Sequence, residues 1–246
     1  MSSSNFQFNH AGSVTDDVWT AVDAYAFRHS HPSTRPNAEV LENVLVASKA
    51  DGLPDISASP AQAKFMALQC CLLNVTHALE VGTLGGYTAI WLASENPQLH
   101  VVTIEYDPTH VEVARKNIES AGLSDRIEVI QGAGADVLPK LKEEVLAGKR
   151  EKFGFTFIDA DKENNWNYLN WAADMSKPNS LLCVDKYVFI FSFSQFLITF
   201  FSCFPETCLQ KYQRRSWWKD CQFRGHRPSS GGFSDCHRER RQRSEI

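Results

Sequence analysis

The sequence has no Cys-x-x-Cys pair and no His and Cys residues at zinc-finger spacing. Its seven cysteines therefore predict buried or incidental thiols rather than a structural zinc site. The first residues also lack the charged and then apolar pattern of a secretory signal. A reducing, cytoplasmic compartment is the expectation from these two absences.

Neither sign of charge dominates the chain. Its 246 residues carry 25 Lys and Arg against 29 Asp and Glu, a net charge of −4. This balance argues against a nucleic-acid partner or an anionic membrane surface. The charge is unevenly placed, however, because ten basic and five acidic residues lie between Cys203 and Ile246. This last part is a different kind of sequence from the rest.

A long uninterrupted apolar run is also missing. The stretch from Tyr187 to Phe204 comes nearest, but Ser, Gln and Thr residues interrupt it, and its length is marginal for crossing a bilayer. The sequence therefore predicts no membrane-spanning segment and no membrane partner.

The spacing of apolar residues in residues 1–75 predicts helices. Apolar residues from Val18 to Ala26 and from Val40 to Leu45 follow helical spacing. A third helix is expected to begin at Pro60, which suits the first helical position. Residues 1–75 are thus predicted to form an N-terminal helical cap. The apolar face of the third helix is predicted to consist of Phe65, Leu68 and Leu72.

From His77 onward, short apolar runs alternate with helical patterns, which is typical of βαβ units. The helix after the second run has Asp107 as its N-cap and Gly122 as its stop signal. Residues 76–186 are predicted to form an α/β, Rossmann-like, doubly wound parallel sheet that binds ligands at the carboxyl ends of its strands. The predicted strands are His77 to Val81, His100 to Glu105, Ile127 to Gln131, Gly154 to Ala160 and Ser180 to Asp185.

A glycine-rich turn, Glu80-Val81-Gly82-Thr83-Leu84-Gly85-Gly86-Tyr87-Thr88, follows the first predicted strand. Glycines at such a turn let the backbone bend sharply and approach a ligand closely. Their spacing departs from the G-x-G-x-x-G dinucleotide fingerprint. Glu105 ends the second strand 25 positions beyond Glu80, where a carboxylate can accept hydrogen bonds from ribose hydroxyls. Together these features predict a cofactor that contains a nucleoside.

Two carboxylates and an amine follow the fourth predicted strand, in Asp159-Ala160-Asp161-Lys162, and Asp185 ends the fifth. Because neighbouring parallel strands end at the same edge of a sheet, Asp159 and Asp185 are candidates to share one hard divalent cation such as Mg²⁺. From the residues alone, a solvated strand end with an incidental charge pair stays the alternative.

The run from about Val18 to Asp185 resembles the cation-dependent O-methyltransferases, the family of the caffeoyl-CoA and catechol O-methyltransferases, most specifically in the motifs around Gly82 and Asp159. The resemblance implies S-adenosylmethionine as cofactor, a small-molecule hydroxyl substrate of catechol-like type, Asp159 as a catalytic metal ligand and Lys162 as the general base. Relatives of the caffeoyl-CoA type commonly form dimers, so a homodimer is compatible with it. The cofactor-binding residues that it implies are Ala58, Glu80, Gly82, Thr83, Thr88, Glu105, Gly134 and Asp161.

The resemblance breaks at Lys186, where the family has an Asn that supplies a third metal ligand. A lysine has no acceptor and adds a positive charge, so metal binding is predicted to be weakened. Residues 187–246 form an atypical tail, in which the family's last strands are missing or replaced by a Phe-rich run and a Ser, Arg and Cys-rich stretch. A retained intron followed by a shifted reading frame is one hypothesis for the tail, and a divergent functional segment is the other.

Two further functions stay open from the sequence. An NAD(P)-dependent oxidoreductase would account for the glycine turn and Glu105 but not for the motif from Asp159 to Lys162. A catalytically impaired methyltransferase remnant would bind the cofactor without turnover. The methyl acceptor, its regiochemistry and the oligomeric state do not follow from the sequence, because the residues that would shape the substrate pocket fall in the tail.

Overall fold

The structure, a computed structural model, describes residues 17–185 and 187–190 of the chain. Helices and strands alternate along most of this span, as the apolar periodicity predicts. In chain order they are α1 (Asp17–Ser30), α2 (Ala38–Ala50), α3 (Pro60–Leu72), β1 (His77–Val81), α4 (Tyr87–Glu95), β2 (His100–Glu105), α5 (Pro108–Ser120), β3 (Ile127–Gln131), α6 (Gly134–Leu146), β4 (Phe153–Ile158), α7 (Asn165–Asp174), β5 (Ser176–Val184) and β6 (Tyr187–Ile190).

The first five strands pair in parallel, in the order β3-β2-β1-β4-β5. Because the chain runs outward from β1 on one side and from β4 on the other, the strand order reverses between these two central strands. Such a reversal opens a crevice at the carboxyl ends of the strands, where ligands bind in folds of this type. The predicted α/β, doubly wound parallel sheet is confirmed.

Helices cover both faces of the sheet and bury it in two apolar clusters. One cluster joins α2, α3, α4 and α5 to the sheet and contains the fully buried Trp91. The other joins α6 and α7 to the opposite face around Leu138 and Leu169. Strands buried on both faces are typical of parallel sheets, and they hold the residues at their carboxyl ends in fixed positions.

The prediction that Phe65, Leu68 and Leu72 form the packed apolar face of α3 is wrong. Phe65, Leu68 and Leu72 are 48%, 46% and 73% exposed, whereas the face of α3 that carries Ala63, Met66, Ala67 and Cys70 is buried. Small residues allow a helix axis to approach its neighbour closely, so the close contact of α3 with α4 selects the face that carries Ala63 and Ala67. Helical spacing alone does not distinguish these two faces.

Both helix starts that the sequence identifies are confirmed. The side chain of Ser59 accepts a hydrogen bond from the amide of Gln62 at 3.2 Å, which caps α3. The side chain of Asp107 accepts one from the amide of Thr109 at 2.7 Å, which caps α5 immediately after β2. The second cap fixes the direction in which the chain leaves the carboxyl end of the sheet.

A sixth strand, which the sequence analysis does not predict, lies at one edge of the sheet. Strand β6 pairs in antiparallel fashion with β5, from Val184 opposite Tyr187 to Leu181 opposite Ile190. It begins directly after Lys186, which itself lies outside the described residues, as does the rest of the atypical tail from residue 191. Among the described helices, none has both the length and the apolar character needed to cross a membrane.

Candidate functional site

The glycine loop, residues 82–86, joins β1 to α4 and lies against the end of β4. Gly82 has φ +101°, and a Cβ atom built on it would lie 2.1 Å from the carbonyl oxygen of Asp159. The amide of Asp159 in turn donates to the carbonyl of Val81 at 2.8 Å. The structure therefore brings together the two motifs that the sequence singles out around Gly82 and Asp159.

Glu105 lies across from the glycine loop at the end of β2 and is 8% exposed. Its Oε2 accepts hydrogen bonds from the amides of Thr83 at 3.1 Å and Leu84 at 2.8 Å. Its Oε1 accepts one from the amide of Asp107 at 2.9 Å. The carboxylate is thus held by three backbone donors at the mouth of the crevice, which is the place predicted for a residue that binds ribose.

Glu80 is buried beneath the same loop. It is 1% exposed, and its Oε2 accepts a hydrogen bond from the hydroxyl of Thr103 at 2.6 Å. A hydrogen bond of 2.5 Å joins this hydroxyl to that of Thr83, so the chain of contacts runs from Glu80 to the glycine loop. Burial raises the pKa of Glu80 to about 8, and the nearby carboxylates of Asp159 and Glu105 add to the shift.

We expect Glu80 to make the stability of the protein depend on pH. Its folded-state pKa of about 8 lies above the ordinary value of 4.5, so ionisation disfavours the folded state as pH rises between these values. The free energy of unfolding should fall across this range, by at most about 1.4 kcal/mol per pH unit. Glu80→Gln keeps an oxygen acceptor for Thr103 but cannot ionise. Its free energy of unfolding, measured by urea denaturation at pH values from about 5 to 8, should therefore change less with pH than that of the parent.

The control for this prediction is Glu128→Gln on β3. Glu128 is exposed, and its hydrogen bonds to Arg150 lower its pKa, so it is already ionised throughout the measured range. Glu128→Gln should therefore keep the slope of the parent protein. Equal slopes for the parent and Glu80→Gln would contradict the assignment of the pH dependence to Glu80.

Lys162 joins the ends of β4 and β5. Its Nζ donates hydrogen bonds to Asp159 Oδ1 at 2.8 Å and to Asp185 Oδ2 at 2.9 Å. Partial burial works to lower the pKa of Lys162, but the two hydrogen bonds outweigh it and raise the pKa above its usual value. The lysine is therefore an ammonium at neutral pH, and two carboxylates converge on its charge.

Asp161 contacts other side chains than Lys162 does. Its carboxylate accepts hydrogen bonds from the hydroxyl of Tyr168 and from the side chain of Asn164. Tyr168 also packs against the start of α6, since a Cβ atom on Gly134 would lie 2.9 Å from its ring. Tyr168 is not among the residues predicted from the sequence, although its position in the helix directly after the Asp161 motif is a signal that it contacts that motif.

The two remaining predicted cofactor residues occupy different settings. Thr88 is buried in the first turn of α4, directly after the glycine loop. Ala58 lies half-buried in the segment that precedes α3. Their contact with the cofactor stays a prediction.

Within residues 17–185 and 187–190, no group of three or more His, Cys, Asp and Glu side chains is placed to hold a metal ion. The predicted pair of ligands, Asp159 and Asp185, does lie together around the Lys162 ammonium. In the family pattern the third ligand is an Asn at the position that Lys186 occupies here, and Lys186 lies outside the described residues. The described residues thus bring two carboxylates together around one lysine.

A family model described as O-methyltransferase matches residues 30–192. This chain belongs to the O-methyltransferase family. The match covers the glycine loop, Glu105 and the motif from Asp159 to Lys162, and it ends within a few residues of Lys186, close to where the sequence resemblance breaks.

Named relatives of this O-methyltransferase agree with the assignment. O-methyltransferase imqG of Aspergillus flavus is 56% identical over 173 residues, which are 70% of this chain and 70% of the relative. Catechol O-methyltransferase of Mycobacterium tuberculosis is 44% identical over 149 residues, 60% of this chain and 64% of the relative. The chain thus spans about two thirds of the length of these relatives.

Solved structures extend the comparison to the cofactor. The O-methyltransferase from Bacillus cereus, solved in complex with SAH, is 42% identical with a TM-score of 0.60, covering 67% of this chain and 72% of that one. TomG from Streptomyces achromogenes, solved with SAM, is 31% identical with a TM-score of 0.61, covering 70% of this chain and 74% of that one. These relatives support S-adenosylmethionine as the cofactor of this O-methyltransferase rather than NAD(P).

Proposed function

We propose that this O-methyltransferase transfers the methyl group of S-adenosylmethionine to a hydroxyl of a small, catechol-like molecule, with a divalent cation and Lys162 assisting. The observation that carries the proposal is the convergence of Lys162, Asp159 and Asp185 at the edge of the sheet where Gly82 touches the Asp159 backbone. Methyl transfer is an in-line displacement, so it needs a nucleophilic oxygen held close to the methyl donor. This arrangement puts charged groups beside the crevice that would hold the donor.

The Asp159 and Asp185 carboxylates fit a divalent cation. They already converge on one positive centre, since both lie within 2.9 Å of Lys162 Nζ. Hard cations such as Mg²⁺ prefer oxygen ligands and keep several water ligands, so two carboxylates are a sufficient protein contribution. A cation at this place would lower the pKa of a hydroxyl bound to it, and adjacent hydroxyls on an aromatic ring suit such chelation.

Lys162 is the group of this site that is suited to accept a proton from the acceptor hydroxyl. In the described arrangement, Asp159 and Asp185 hold it as an ammonium. It can take up a proton only after these hydrogen bonds have been exchanged for others and its own proton has been released. The carboxylates therefore control both the position and the charge of the lysine.

Calorimetric titration with S-adenosylhomocysteine and with NAD tests the cofactor half of the proposal. We expect the parent protein to bind S-adenosylhomocysteine but not NAD. Glu105→Ala should weaken the binding at least tenfold, because it removes the carboxylate that we propose binds the ribose hydroxyls and that accepts from the amides of Thr83 and Leu84. Glu128→Ala removes an exposed carboxylate from β3, the strand next to β2, and serves as the matched control.

A turnover assay with and without Mg²⁺ tests the catalytic half. We expect methyl transfer to an aromatic acceptor with two adjacent hydroxyls to exceed transfer to one with a single hydroxyl. Binding of S-adenosylhomocysteine without turnover for any cation or acceptor would instead support the catalytically impaired remnant, which the departure from the family pattern at Lys186 also favours. Preference for NAD in the titration would contradict the proposed function altogether.

A further inference from the structure

Asn117 on α5 contacts the glycine loop at Gly85, whereas Glu105 contacts it at Thr83 and Leu84. It is 3% exposed, and its side-chain amide donates to the carbonyl of Gly85 at 2.8 Å. The same amide nitrogen donates to Ser48 Oγ on α2 at 3.1 Å. The buried side chain of Asn117 thus connects α5 and α2 to the backbone of the glycine loop.

Helix α2 lies directly against the loop at this point. A Cβ atom built on Gly85 would lie 2.2 Å from Ser48 Oγ and 3.4 Å from a methyl group of Leu53. The glycine is therefore needed for close packing between the loop and α2. Because Ser48 and Gly85 both accept hydrogen bonds from Asn117, loss of this side chain leaves two buried acceptors without it.

The loop has a conformation that needs support. Leu84 has φ +50°, which is uncommon for a residue with a branched side chain and costs conformational energy. The amides of Thr83 and Leu84 face Glu105, whereas the carbonyl of Gly85 faces Asn117. Side chains from β2 and α5 thus each hold one part of the loop.

From this geometry we infer that Asn117 is a positioning residue for cofactor binding, and that it acts through the glycine loop. Its hydrogen bond to Gly85 keeps the turn closed, so that the amides of Thr83 and Leu84 stay directed at the carboxylate of Glu105. A loop that is fixed before the cofactor arrives loses less conformational freedom on binding, which raises affinity. The inference rests on the proposed function, since it concerns the same cofactor.

Asn117→Ala tests this role, with Lys116→Ala as its matched control. Lys116 is the preceding residue of α5, and it makes an exposed ion pair at 2.8 Å with Asp51, the residue directly after α2. We expect Asn117→Ala to weaken binding of S-adenosylhomocysteine on the order of tenfold. Lys116→Ala should leave the affinity unchanged.

Amide hydrogen exchange separates positioning from general stability. At a temperature where both variants are fully folded, Asn117→Ala should exchange faster than the parent at the amides of Thr83 and Leu84, and Lys116→Ala should not. If Asn117→Ala does not fold, Ser48→Ala provides the test. It leaves the bond from Asn117 to Gly85 in place and should bind S-adenosylhomocysteine within about threefold of the parent, without faster loop exchange.

Where Asn117→Ala folds, two outcomes would overturn the inference. One is parent-like affinity and loop exchange in Asn117→Ala, and the other is an equal loss in Lys116→Ala, which would assign the effect to the docking of α2 alone. For Ser48→Ala, a tenfold loss with faster loop exchange would overturn it by assigning the support of the loop to Ser48. Failure of the parent itself to bind S-adenosylhomocysteine would instead contradict the proposed function, so the two failures are distinguishable.

Discussion

Gly82→Ala should unfold the protein at a markedly lower temperature and abolish cofactor binding. A Cβ atom at this position would meet the carbonyl oxygen of Asp159 at 2.1 Å, and that oxygen belongs to the backbone of the residue directly after the buried strand β4. The backbone at φ +101° is also strained for alanine. We expect a loss of about 3 kcal/mol or more in the free energy of unfolding, measured by urea denaturation.

Gly52→Ala separates the two causes of this loss. Gly52 has φ +83°, but a Cβ atom built on it would find no atom within 4 Å. It therefore has backbone strain without a clash, which should cost about 1 to 2 kcal/mol. If Gly82→Ala is no less stable than Gly52→Ala and still binds S-adenosylhomocysteine, neither stability nor cofactor binding depends on the close approach of β1 and β4 at Gly82.

The sheet and the positions of its motifs could be predicted from the sequence because each depends on local patterns. Short apolar runs fix the strands, and the N-cap at Asp107 fixes the start of the helix after β2. Parallel pairing then brings the ends of β1, β2, β4 and β5 to one edge, so Gly82, Glu105 and Asp159 meet without any further assumption. These predictions need only the chain order and the strand ends.

Contacts between layers could not be predicted in this way. The choice between the two faces of α3 depends on how closely α4 approaches it, and helical spacing is the same for both faces. Asn117 and Ser48 are 69 positions apart and reach Gly85 only through the packing of α2 and α5. Strand β6 begins where the sequence pattern changes, so its pairing with β5 has no signal in the family motifs.

Lys162→Met should lower turnover while leaving the affinity for S-adenosylhomocysteine within about twofold of the parent. If the lysine accepts the proton of the acceptor hydroxyl, its loss should cost on the order of 10² to 10⁴ in rate. Methionine keeps an unbranched side chain of similar length, so the packing around Asp159 changes little. Rates would be measured with the acceptor that the parent methylates fastest, and affinities by calorimetry.

The Lys162→Met result has to be separated from the effect of removing any lysine that pairs with a carboxylate. Lys142→Met provides this control, because Lys142 pairs with Asp174 at 2.6 Å on the face covered by α6 and α7, away from the glycine loop. It should keep the rate of the parent. An unchanged rate in Lys162→Met would remove Lys162 as the proton acceptor and leave it only the role of a cation held between Asp159 and Asp185.

In that case the divalent cation and Lys162 would compete for the same two carboxylates. Lys162→Met should then bind Mg²⁺ more tightly than the parent, which calorimetry would detect.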